Sequence, residues 1–448
     1  MKTSRNRTKI FGKTAGVALL AAVALALSAC SGGSGGTGAG TQTDSGGKIT
    51  VWVDPPRVPA ADAFKKAHPE IPINIVQIDG TVGGKTVQQQ FAQFDSAKKG
   101  WPDAIFFPSN DDIAWATSAK SNYAADMSKE TPDLVKGYDP AVLSMCKIGG
   151  VYRCLRNDAA PDLFWYNATF FRDNGYTVPT TWEEYATLGA QIAKDHPGFV
   201  SGFTGDAYAP DRYLWAAGCP TNDTVSATKV HIDLSDPKCQ RAKSILTTLS
   251  DAKALSSVGI FDADAATVGP KMVMSPGAVW WGDYLFNQTW KIPAGTMQAT
   301  APLTWKGDSK PSTGNEGGGL WGMSSHITGK QLANAKIFMK FVVSDPAWQV
   351  ELSTGLPAFK AVQADWIAKQ SASNYYADTA KTFATFQSAI SDVPGDHFYQ
   401  LYNTGSVWTE TVAPALVSGK SFDDAWTAFG TDLNNQAKSQ GYTVVKSK

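Results

Sequence analysis

Several segments of this chain place flat aromatic side chains beside short polar ones. Trp280, Trp281 and Asp283 fall within four consecutive residues, and two adjacent tryptophans on a strand cannot both point inward. Aromatic rings stack on weakly apolar C–H faces, whereas carboxylate, amide and guanidinium groups hydrogen-bond hydroxyls. These residue types therefore predict non-covalent binding of a flat ligand rich in hydroxyls. The alternative is that one tryptophan lies in the core and the other at the surface.

Other segments repeat this mixture, mostly in loops near the ends of predicted elements. Their candidate ligand contacts are Asp54, Arg57, Asn110, Asp111, Asn157, Asp158, Asp206, Tyr208, Glu316 and Trp321. Two alternatives stay open. Asn110 and Asp111 could cap the next helix, and Asn157 and Asp158 could hydrogen-bond two halves of the protein to each other. Phe398, Tyr402 and Trp408 are interpreted as core residues.

No catalytic residue, metal site or cofactor is predicted. Neither G-x-S-x-G nor H-E-x-x-H occurs in the sequence. Cysteines that bind zinc commonly stand two to four residues apart, and no two cysteines here do so. The residue types therefore favour binding over chemistry.

The loops with candidate residues follow strands that alternate with helices. Strands are predicted over 48–53, 71–78 and 104–107, with helices over 59–66 and 86–98 between them. This order predicts βαβ units and a mostly parallel sheet, in which ligands bind at the carboxyl ends of the strands. Further helices are predicted over 182–194, 241–249, 330–343, 379–390 and 422–439.

The N-terminus has the features of an export signal. Five Lys or Arg and no acidic residue occur in the first 29 residues, and an apolar run covers 15–27. The run is too short to span a bilayer and fits a signal peptide over 1–29. It ends in Leu-Ser-Ala-Cys, which resembles the bacterial lipobox, so Cys30 is predicted to be lipidated, with palmitate among its acyl chains. A plain secretory signal is the alternative.

The segment after Cys30 predicts a flexible tether. Residues 31–47 contain eight glycines and almost no apolar side chain, so burial cannot offset the entropy of ordering them. A glycine-rich coil of this length spans roughly 20–25 Å. The protein is therefore expected outside the cytoplasm of a Gram-positive bacterium, and only its lipid anchor is expected to enter the membrane.

Composition limits the classes of partner. Without residues 1–29, 35 Lys and Arg stand against 40 Asp and Glu, a formal charge of −5. A mildly acidic chain without a basic cluster is a poor nucleic-acid binder. About 400 folded residues exceed one ordinary core and predict two domains. We expect a monomer whose many aromatic residues mostly form the core.

Four cysteines remain once Cys30 is assigned to the lipid. Three pairings of Cys146, Cys154, Cys219 and Cys239 are possible outside the cytoplasm. Pairing between neighbours, Cys146 with Cys154 and Cys219 with Cys239, closes short loops and is favoured. The two glycines at 149–150 predict a hairpin turn inside the first loop.

The region from Gly149 carries a family resemblance. The sequence has a Gly-Gly hairpin, then Arg-Asn-Asp at 156–158, Tyr-Asn at 166–167, and Thr-Trp with Glu184 opening a helix. This pattern resembles the extracellular solute-binding proteins of sugar ABC importers, the maltose-binding class. Segments 268–284, 316–359 and 398–439 fit the same pattern, so the resemblance covers essentially all of 48–445. Thr181 and Glu184 also form a capping-box pattern.

The resemblance implies an α/β fold of two lobes with a ligand cleft between them. Each lobe is expected to hold a mixed, mostly parallel sheet flanked by helices. The expected N-terminal lobe is 48–157 plus 316–362, and the C-terminal lobe is 158–315 plus 363–448. The implied function is capture of a sugar or oligosaccharide for the membrane subunits of an ABC importer, without enzymatic activity. The alternatives are a polyamine, peptide or phosphodiester receptor, or a lipid-anchored glycosidase using paired carboxylates.

Overall fold

The computed structural model describes residues 46–80, 85–109, 112–118, 121–226, 228–393 and 402–447. The predicted signal peptide, Cys30, most of the tether, and the candidates Asn110 and Asp111 lie outside these ranges, as does Phe398.

Strands and helices alternate through the described ranges. The strands are β1 Ile49–Val53, β2 Ile73–Gln77, β3 Ala104–Phe107, β4 Lys147–Ile148, β5 Val151–Tyr152, β6 Leu155–Arg156, β7 Asp162–Asn167, β8 Asp223–Ser226, β9 Lys229–His231, β10 Met274–Ala278, β11 Met297–Thr300, β12 Leu320–Met323 and β13 Thr443–Val445. The α-helices are α1 Val58–Ala67, α2 Lys85–Ala97, α3 Asp112–Ala116, α4 Met127–Glu130, α5 Pro132–Lys136, α6 Pro140–Leu143, α7 Ala168–Asn174, α8 Trp182–Asp195, α9 Pro237–Asp251, α10 Ala265–Val268, α11 Gly329–Ser344, α12 Pro346–Gln349, α13 Lys360–Ser371, α14 Thr379–Ala389, α15 Thr404–Val417 and α16 Phe422–Ser439.

A five-stranded sheet organises the first lobe, in the order β2-β1-β3-β12-β6. β1 pairs in parallel with β2 and β3, as the alternating strands and helices predicted. β12 runs antiparallel to both β3 and β6. Ile49, Val51 and Val53 of β1 are completely buried, which suits a strand covered on both faces. The three strands and two helices predicted over 48–107 are therefore confirmed.

Two three-stranded sheets organise the second lobe, in the orders β10-β7-β11 and β13-β9-β8. The expectation of a mostly parallel sheet is wrong for the first of these, because β7 runs antiparallel to both neighbours. Pro276 lies in β10 at the sheet edge, where the lack of an amide proton costs no ladder bond. Parallel pairing beside this sheet is reduced to single bridges, such as Val200 with Met272.

The predicted helices of the second half are present. α8 begins at a capping box in which Thr181 and Glu184 satisfy each other's backbone amides. α16 has the predicted bounds, with Ser421 accepting a hydrogen bond from the Asp424 amide at its first turn. Tyr402 and Trp408 are buried, as expected for core residues.

Two of the passages of the chain between the lobes are short extended segments. Residues 157–161 connect β6 in the first lobe to β7 in the second, and residues 313–319 return to β12. The two segments pair antiparallel through Pro161 and Asn315, and Asp158 also pairs with Pro357. The two-lobed α/β fold is thus confirmed, and its crossing segments bring distant charged residues together.

Both favoured disulfides are present. Cys146–Cys154 closes the β4–β5 hairpin, whose turn residues Gly149 and Gly150 have φ of 57° and 83°. Cys219–Cys239 fastens the start of α9 to the segment before β8. All four cysteines are buried. The pairing predicted between neighbouring cysteines is confirmed.

Within the described ranges, every helix falls short of the length and apolar character that crossing a bilayer requires.

Candidate ligand-binding site

A buried ion network occupies the place where the second crossing segment meets the second lobe. Arg212 Nε and Nη2 donate to the two carboxylate oxygens of Glu316 at 3.1 and 2.9 Å. Arg212 Nη2 also lies 3.3 Å from Asp206 Oδ1, and Nη1 donates to the Phe203 carbonyl at 2.8 Å. Both Arg212 and Glu316 are completely buried. Such a bidentate pair fixes the position of two distant segments as well as their charges.

Both tryptophans of the 280–281 pair hydrogen-bond Glu316. Trp280 Nε1 donates to the Glu316 carbonyl at 2.7 Å, and Trp281 Nε1 donates to Oε1 at 3.0 Å. The two tryptophans do not lie on a strand as predicted, because β10 ends at Ala278 and Trp281 begins a π-helical segment, Trp281–Thr289. Trp281 is completely buried beneath the Arg212 guanidinium, 4.8 Å from its ring. It belongs to the core and leaves Trp280 as the accessible member.

An aromatic patch surrounds Trp280, formed by Tyr208, Phe261, Trp280 and Tyr284. Phe261 stacks on Trp280 with ring centroids 5.8 Å apart and planes 10° apart. Tyr208 meets both rings edge-on, each at 6.1 Å, and Tyr284 packs at 6.2 Å. Phe261 is 52% exposed and Tyr284 36% exposed. A cluster of aromatic rings that is partly exposed in this way is a candidate surface for ligand contact.

Polar residues from the first lobe form a second group. Arg57 follows β1 and lies 3.2 Å from Asp54 and 3.8 Å from Asp158 of the first crossing segment. Its guanidinium carbon stands 4.1 Å from the ring centre of Phe106. Burial raises the pKa of Asp158 to about 6, against the opposing effect of Arg57. The predicted contacts Asp54, Arg57 and Asp158 are therefore adjacent in space.

Arg156 connects the two groups. Its Nη2 donates to the carbonyls of Asp158 at 3.1 Å and Gly317 at 2.9 Å, one from each crossing segment. Residues 317–319 are three glycines with φ of 72°, 84° and 57°. A Cβ at Gly318 would lie 2.4 Å from Arg156 Nη2, and one at Gly319 would lie 2.0 Å from the Phe106 ring. Only glycine fits this left-handed run without strain.

Three predicted contacts lie elsewhere, each for a physical reason. Asn157 is a buried acceptor for Trp321, Trp348 and Gln349, so it joins parts of the interior. Trp321 is completely buried in β12 and is a core residue. Asp283 accepts hydrogen bonds from Asn287 and Gln288 on its own π-helical segment.

Glu316 also differs from the expected direct contact. Its carboxylate is occupied by Arg212 and Trp281 and has no exposed surface. Its position makes it an anchor for the aromatic patch rather than part of the ligand surface.

The carboxyl groups around this anchor are crowded. Burial, and then the neighbouring Glu316 carboxylate, raise the pKa of Asp162 well above its ordinary value. The same causes raise the pKa of Asp211. Burial raises the pKa of Glu316 as well, opposed by Arg212. Burial and mutual repulsion therefore both oppose full ionisation of this group.

Sequence reasoning did not identify Phe261, Tyr284, Asp162, Asp211 and Arg212 as part of this region. Phe261 had a weak signal, since it is a large aromatic residue followed directly by Asp262 and close to Asp264. Arg212 had none, because its partner Glu316 lies 104 residues away.

Comparison with known protein families decides the identity of the fold. The bacterial extracellular solute-binding protein family matches residues 53–348, which is well over half of the chain. The chain belongs to this family. A search of curated protein sequences returns no match for this solute-binding protein.

Solved structures resemble this solute-binding protein over nearly their whole lengths. An ABC transporter associated binding protein from B. animalis subsp. lactis Bl-04, in complex with β-1,6-galactobiose, is 21% identical with a TM-score of 0.72. The match covers 89% of this chain and 99% of that one. The galacto-N-biose/lacto-N-biose I-binding protein of Bifidobacterium longum is 17% identical with a TM-score of 0.71. The match covers 90% of this chain and 100% of that one.

A third solved structure is also similar to this chain. A receptor from Streptomyces glaucescens, described unliganded and with acarbose, is 18% identical with a TM-score of 0.64. The match covers 88% of this chain and 99% of that one. At these identities the similarity establishes the two-lobed fold.

Proposed function

We propose that this protein is a lipid-anchored receptor that captures a sugar or oligosaccharide outside the cell and delivers it to an ABC importer. The observation that carries the proposal is the aromatic patch on Trp280 beside the polar group of Asp54, Arg57 and Asp158. Stacked rings suit the C–H faces of a pyranose, and the charged groups suit its hydroxyls. Glu316 and Arg212 hold Trp280 in place.

The similar proteins support this ligand class. The three structures described above bind β-1,6-galactobiose, lacto-N-biose and acarbose. Two of them are ABC transporter binding proteins by description. A sugar is therefore the first ligand class to test on this chain, and an ABC importer is its natural partner.

The proposed mode of capture is closure of two lobes on the ligand. The patch belongs to the second lobe and Arg57 to the first, so a ligand between them would contact both. Hinge motion of near-rigid lobes around a ligand is a general device for such binding. We keep the boundaries 48–157 plus 316–362 and 158–315 plus 363–448 as the proposed division.

The lipid anchor rests on the sequence around Cys30. Its thioether-linked lipid would hold the receptor at the membrane, and the glycine-rich tether would let the lobes reach the importer. Replacing Cys30 with Ser is expected to move the protein from the membrane fraction to the medium. Retention of the Cys30→Ser protein in the membrane would contradict lipidation at this residue.

The proposed receptor has no chemistry of its own. Asp54 and Asp158 pair with Arg57, and Glu316 and Asp206 pair with Arg212. In this proposal, these ion pairs position the neighbouring segments and take no part in a reaction. Incubation with oligosaccharides should leave them intact. Hydrolysis that is lost in an Asp158→Asn variant would instead favour the glycosidase alternative.

A thermal-shift screen of the mature protein tests the ligand class. A ligand present at a hundred times its Kd stabilises the folded state by about 2.7 kcal/mol, which is readily measured as a rise in Tm. We expect a rise with one or a few mono- or oligosaccharides. A rise with peptides or phosphodiesters, and none with sugars, would replace the proposed ligand class.

A further inference from the structure

Met145 of the first lobe lies beside both crossing segments. Its sulfur accepts a hydrogen bond from Arg156 Nη1 at 2.9 Å, and Asn315 Nδ2 donates to it at 3.6 Å. Met145, Arg156 and Asn315 are all buried. A thioether is a weak acceptor on a flexible side chain, so it can fill the space between two donors that come from distant parts of the chain.

Arg156 extends this contact to the backbone of the crossing segments. Its Nη2 donates to the Asp158 carbonyl in the first segment and to the Gly317 carbonyl in the second. Nη2 also lies 3.5 Å from Asn315 Oδ1. A guanidinium group is planar and presents its donors in a fixed fork, so an acceptor at Nη1 helps to orient Nη2. Met145 therefore supports the arginine that joins the two crossing segments.

Met145 also contacts the second lobe. Its side chain packs with Trp215 and Val393 in a small buried cluster. Trp215 ends the π-helical segment Pro210–Trp215, which also carries Arg212. Met145 therefore contacts the crossing segments and, at the same time, the element that holds the anchor of the aromatic patch.

The Cys146–Cys154 disulfide is placed to fix the position of Met145. Cys146 follows Met145 directly, and Cys154 stands two residues before Arg156. The β4–β5 hairpin between the two cysteines pairs two residues of each strand. A two-stranded hairpin is marginally stable by itself, so we expect the covalent bond to keep the sulfur and the guanidinium together.

We infer that Met145 is a positioning residue for lobe closure, and that the Cys146–Cys154 disulfide serves this role by holding Met145 against Arg156. This inference rests on the proposed function, since it assumes that the two lobes close on a ligand. Loss of the disulfide loosens the crossing segments and lowers the population of the arrangement that binds. The apparent affinity then falls by the same factor as that population.

The two disulfides should therefore act on different properties. Removal of Cys219–Cys239 is expected to lower the global stability more, because this bond closes the longer loop. Removal of Cys146–Cys154 is expected to loosen the crossing segments more, although its effect on global stability is smaller. A merely structural role would give the same order for both properties.

Two backbone amides report on the crossing segments without any ligand. The Asp158 amide donates to the Gly318 carbonyl at 2.9 Å, and the Glu316 amide donates to the Ala160 carbonyl at 3.0 Å. Each of these hydrogen bonds joins one crossing segment to the other. Local opening of the segments therefore exposes both amides to exchange with solvent deuterium, which mass spectrometry measures.

Paired cysteine variants test the role of the disulfide. In the hairpin variant, Cys146→Ser/Cys154→Ser, we expect the two reporter amides to exchange at least about threefold faster than in the wild type. The second-lobe variant, Cys219→Ser/Cys239→Ser, is the matched control and should accelerate them less, even though it loses more global stability in urea. Equal or greater acceleration in the second-lobe variant overturns the inference.

Met145→Leu tests the side chain with both disulfides intact. This substitution nearly conserves apolar volume and removes the sulfur acceptor of Arg156 and Asn315, so we expect the reporter amides to exchange about twofold faster or more. Met127→Leu is the control, because Met127 is also buried and its sulfur accepts a hydrogen bond from the Thr131 hydroxyl at 3.6 Å. Equal exchange rates in Met145→Leu and Met127→Leu overturn the role of Met145.

Ligand affinity connects this role to capture. Titration calorimetry with β-1,6-galactobiose, lacto-N-biose and acarbose compares the wild type with both cysteine variants. For a sugar that binds the wild type, we expect at least about a threefold rise in Kd in the hairpin variant and a smaller change in the second-lobe variant. An unchanged Kd in the hairpin variant overturns the role in closure.

Failure of this inference is distinct from failure of the proposed function. If the wild type binds a sugar and the hairpin variant neither exchanges faster nor binds more weakly, the inference fails and the sugar receptor stands. If none of the sugars binds and the reporter amides respond as expected, the sugar proposal fails, whereas Met145 and its disulfide keep their role in holding the crossing segments.

Discussion

Arg212 and Glu316 are 104 residues apart in the sequence, yet their buried side chains form two hydrogen bonds of 3.1 and 2.9 Å. Arg212 lies on a π-helical segment of the second lobe, Pro210–Trp215, and Glu316 lies on the segment that returns to the first lobe. The indole groups of Trp280 and Trp281 hydrogen-bond the same glutamate. One residue on a crossing segment thus fixes the aromatic patch.

Loss of the Glu316 charge should destabilise the protein strongly. Glu316→Gln leaves the Arg212 guanidinium buried beside a neutral amide, and breaking a buried pair in this way costs about 3–5 kcal/mol. Urea denaturation followed by tryptophan fluorescence measures the loss. Glu351→Gln is the control, because its pair with Lys369 is exposed and is worth less than about 1 kcal/mol. Equal losses in the two variants would contradict the role given to Arg212 and Glu316.

Shortening Trp280 should weaken ligand binding more than stability. Trp280→Leu removes the face on which Phe261 stacks and the hydrogen bond to the Glu316 carbonyl. We expect about a fivefold or larger rise in Kd for the best sugar found in the screen, since stacked aromatic contacts contribute about 1 kcal/mol.

Tyr176→Leu provides the control for Trp280→Leu. Tyr176 stacks on Phe170 at 5.9 Å and 21°, a partly buried aromatic pair outside the candidate site. Unchanged sugar affinity in Trp280→Leu, measured by titration calorimetry, would remove the aromatic patch from the site.

The unliganded protein should lose stability as the pH rises from about 4 to 6. Unfolded aspartate ionises near pH 3.9, whereas burial raises the pKa of Asp158 and of Asp112 to about 6 in the folded protein. The folded state therefore holds protons that the unfolded state has lost. Each such group lowers the free energy of unfolding by up to about 1.4 kcal/mol per pH unit in that window.

Urea denaturation at several pH values measures this decrease in the free energy of unfolding. Asp158→Asn cannot titrate and should flatten the dependence between pH 4 and 6. Asp133→Asn, at a side chain that is 94% exposed, should leave the dependence as it is. A rise in stability over this window that Asp158→Asn leaves unchanged would contradict the assigned cause.

The two disulfides should differ in their contribution to stability. Cys219–Cys239 closes a separation of 20 residues and Cys146–Cys154 one of 8, and the chain-entropy estimate gives about 3 and about 2.5 kcal/mol. Paired Cys-to-Ser variants compared by urea denaturation measure both losses, after mass spectrometry confirms the bonds in the wild type. A larger loss of stability on removing Cys146–Cys154 than on removing Cys219–Cys239 would show that loop size does not determine which disulfide stabilises more.

Local sequence patterns predicted most elements of the fold. The helix over Phe422–Ser439 follows from its Ser421 cap and helical periodicity, and the strand Ala104–Phe107 follows from its apolar run. The capping box at Thr181 and the turn at Gly149 and Gly150 also depend on neighbouring residues. Interactions within a few residues are the ones a sequence displays directly.

Neither the strand directions in the second-lobe sheet nor the ion network of Arg212 and Glu316 could be predicted in this way. β7 pairs antiparallel with β10 and β11, which follow it more than a hundred residues later. Trp280 and Trp281 both hydrogen-bond Glu316 because the backbone turns from a strand into a π-helix, a change their spacing does not reveal. Such contacts are set by the packing of distant segments.

Titration calorimetry of the mature protein with a panel of mono- and oligosaccharides tests the proposed function most directly. We expect saturable binding of at least one sugar, with a Kd near the micromolar range, or a binding free energy of about −8 kcal/mol. We also expect Trp280→Leu to weaken that binding. Absence of binding to every sugar, together with saturable binding of a peptide or phosphodiester, would contradict the proposed function.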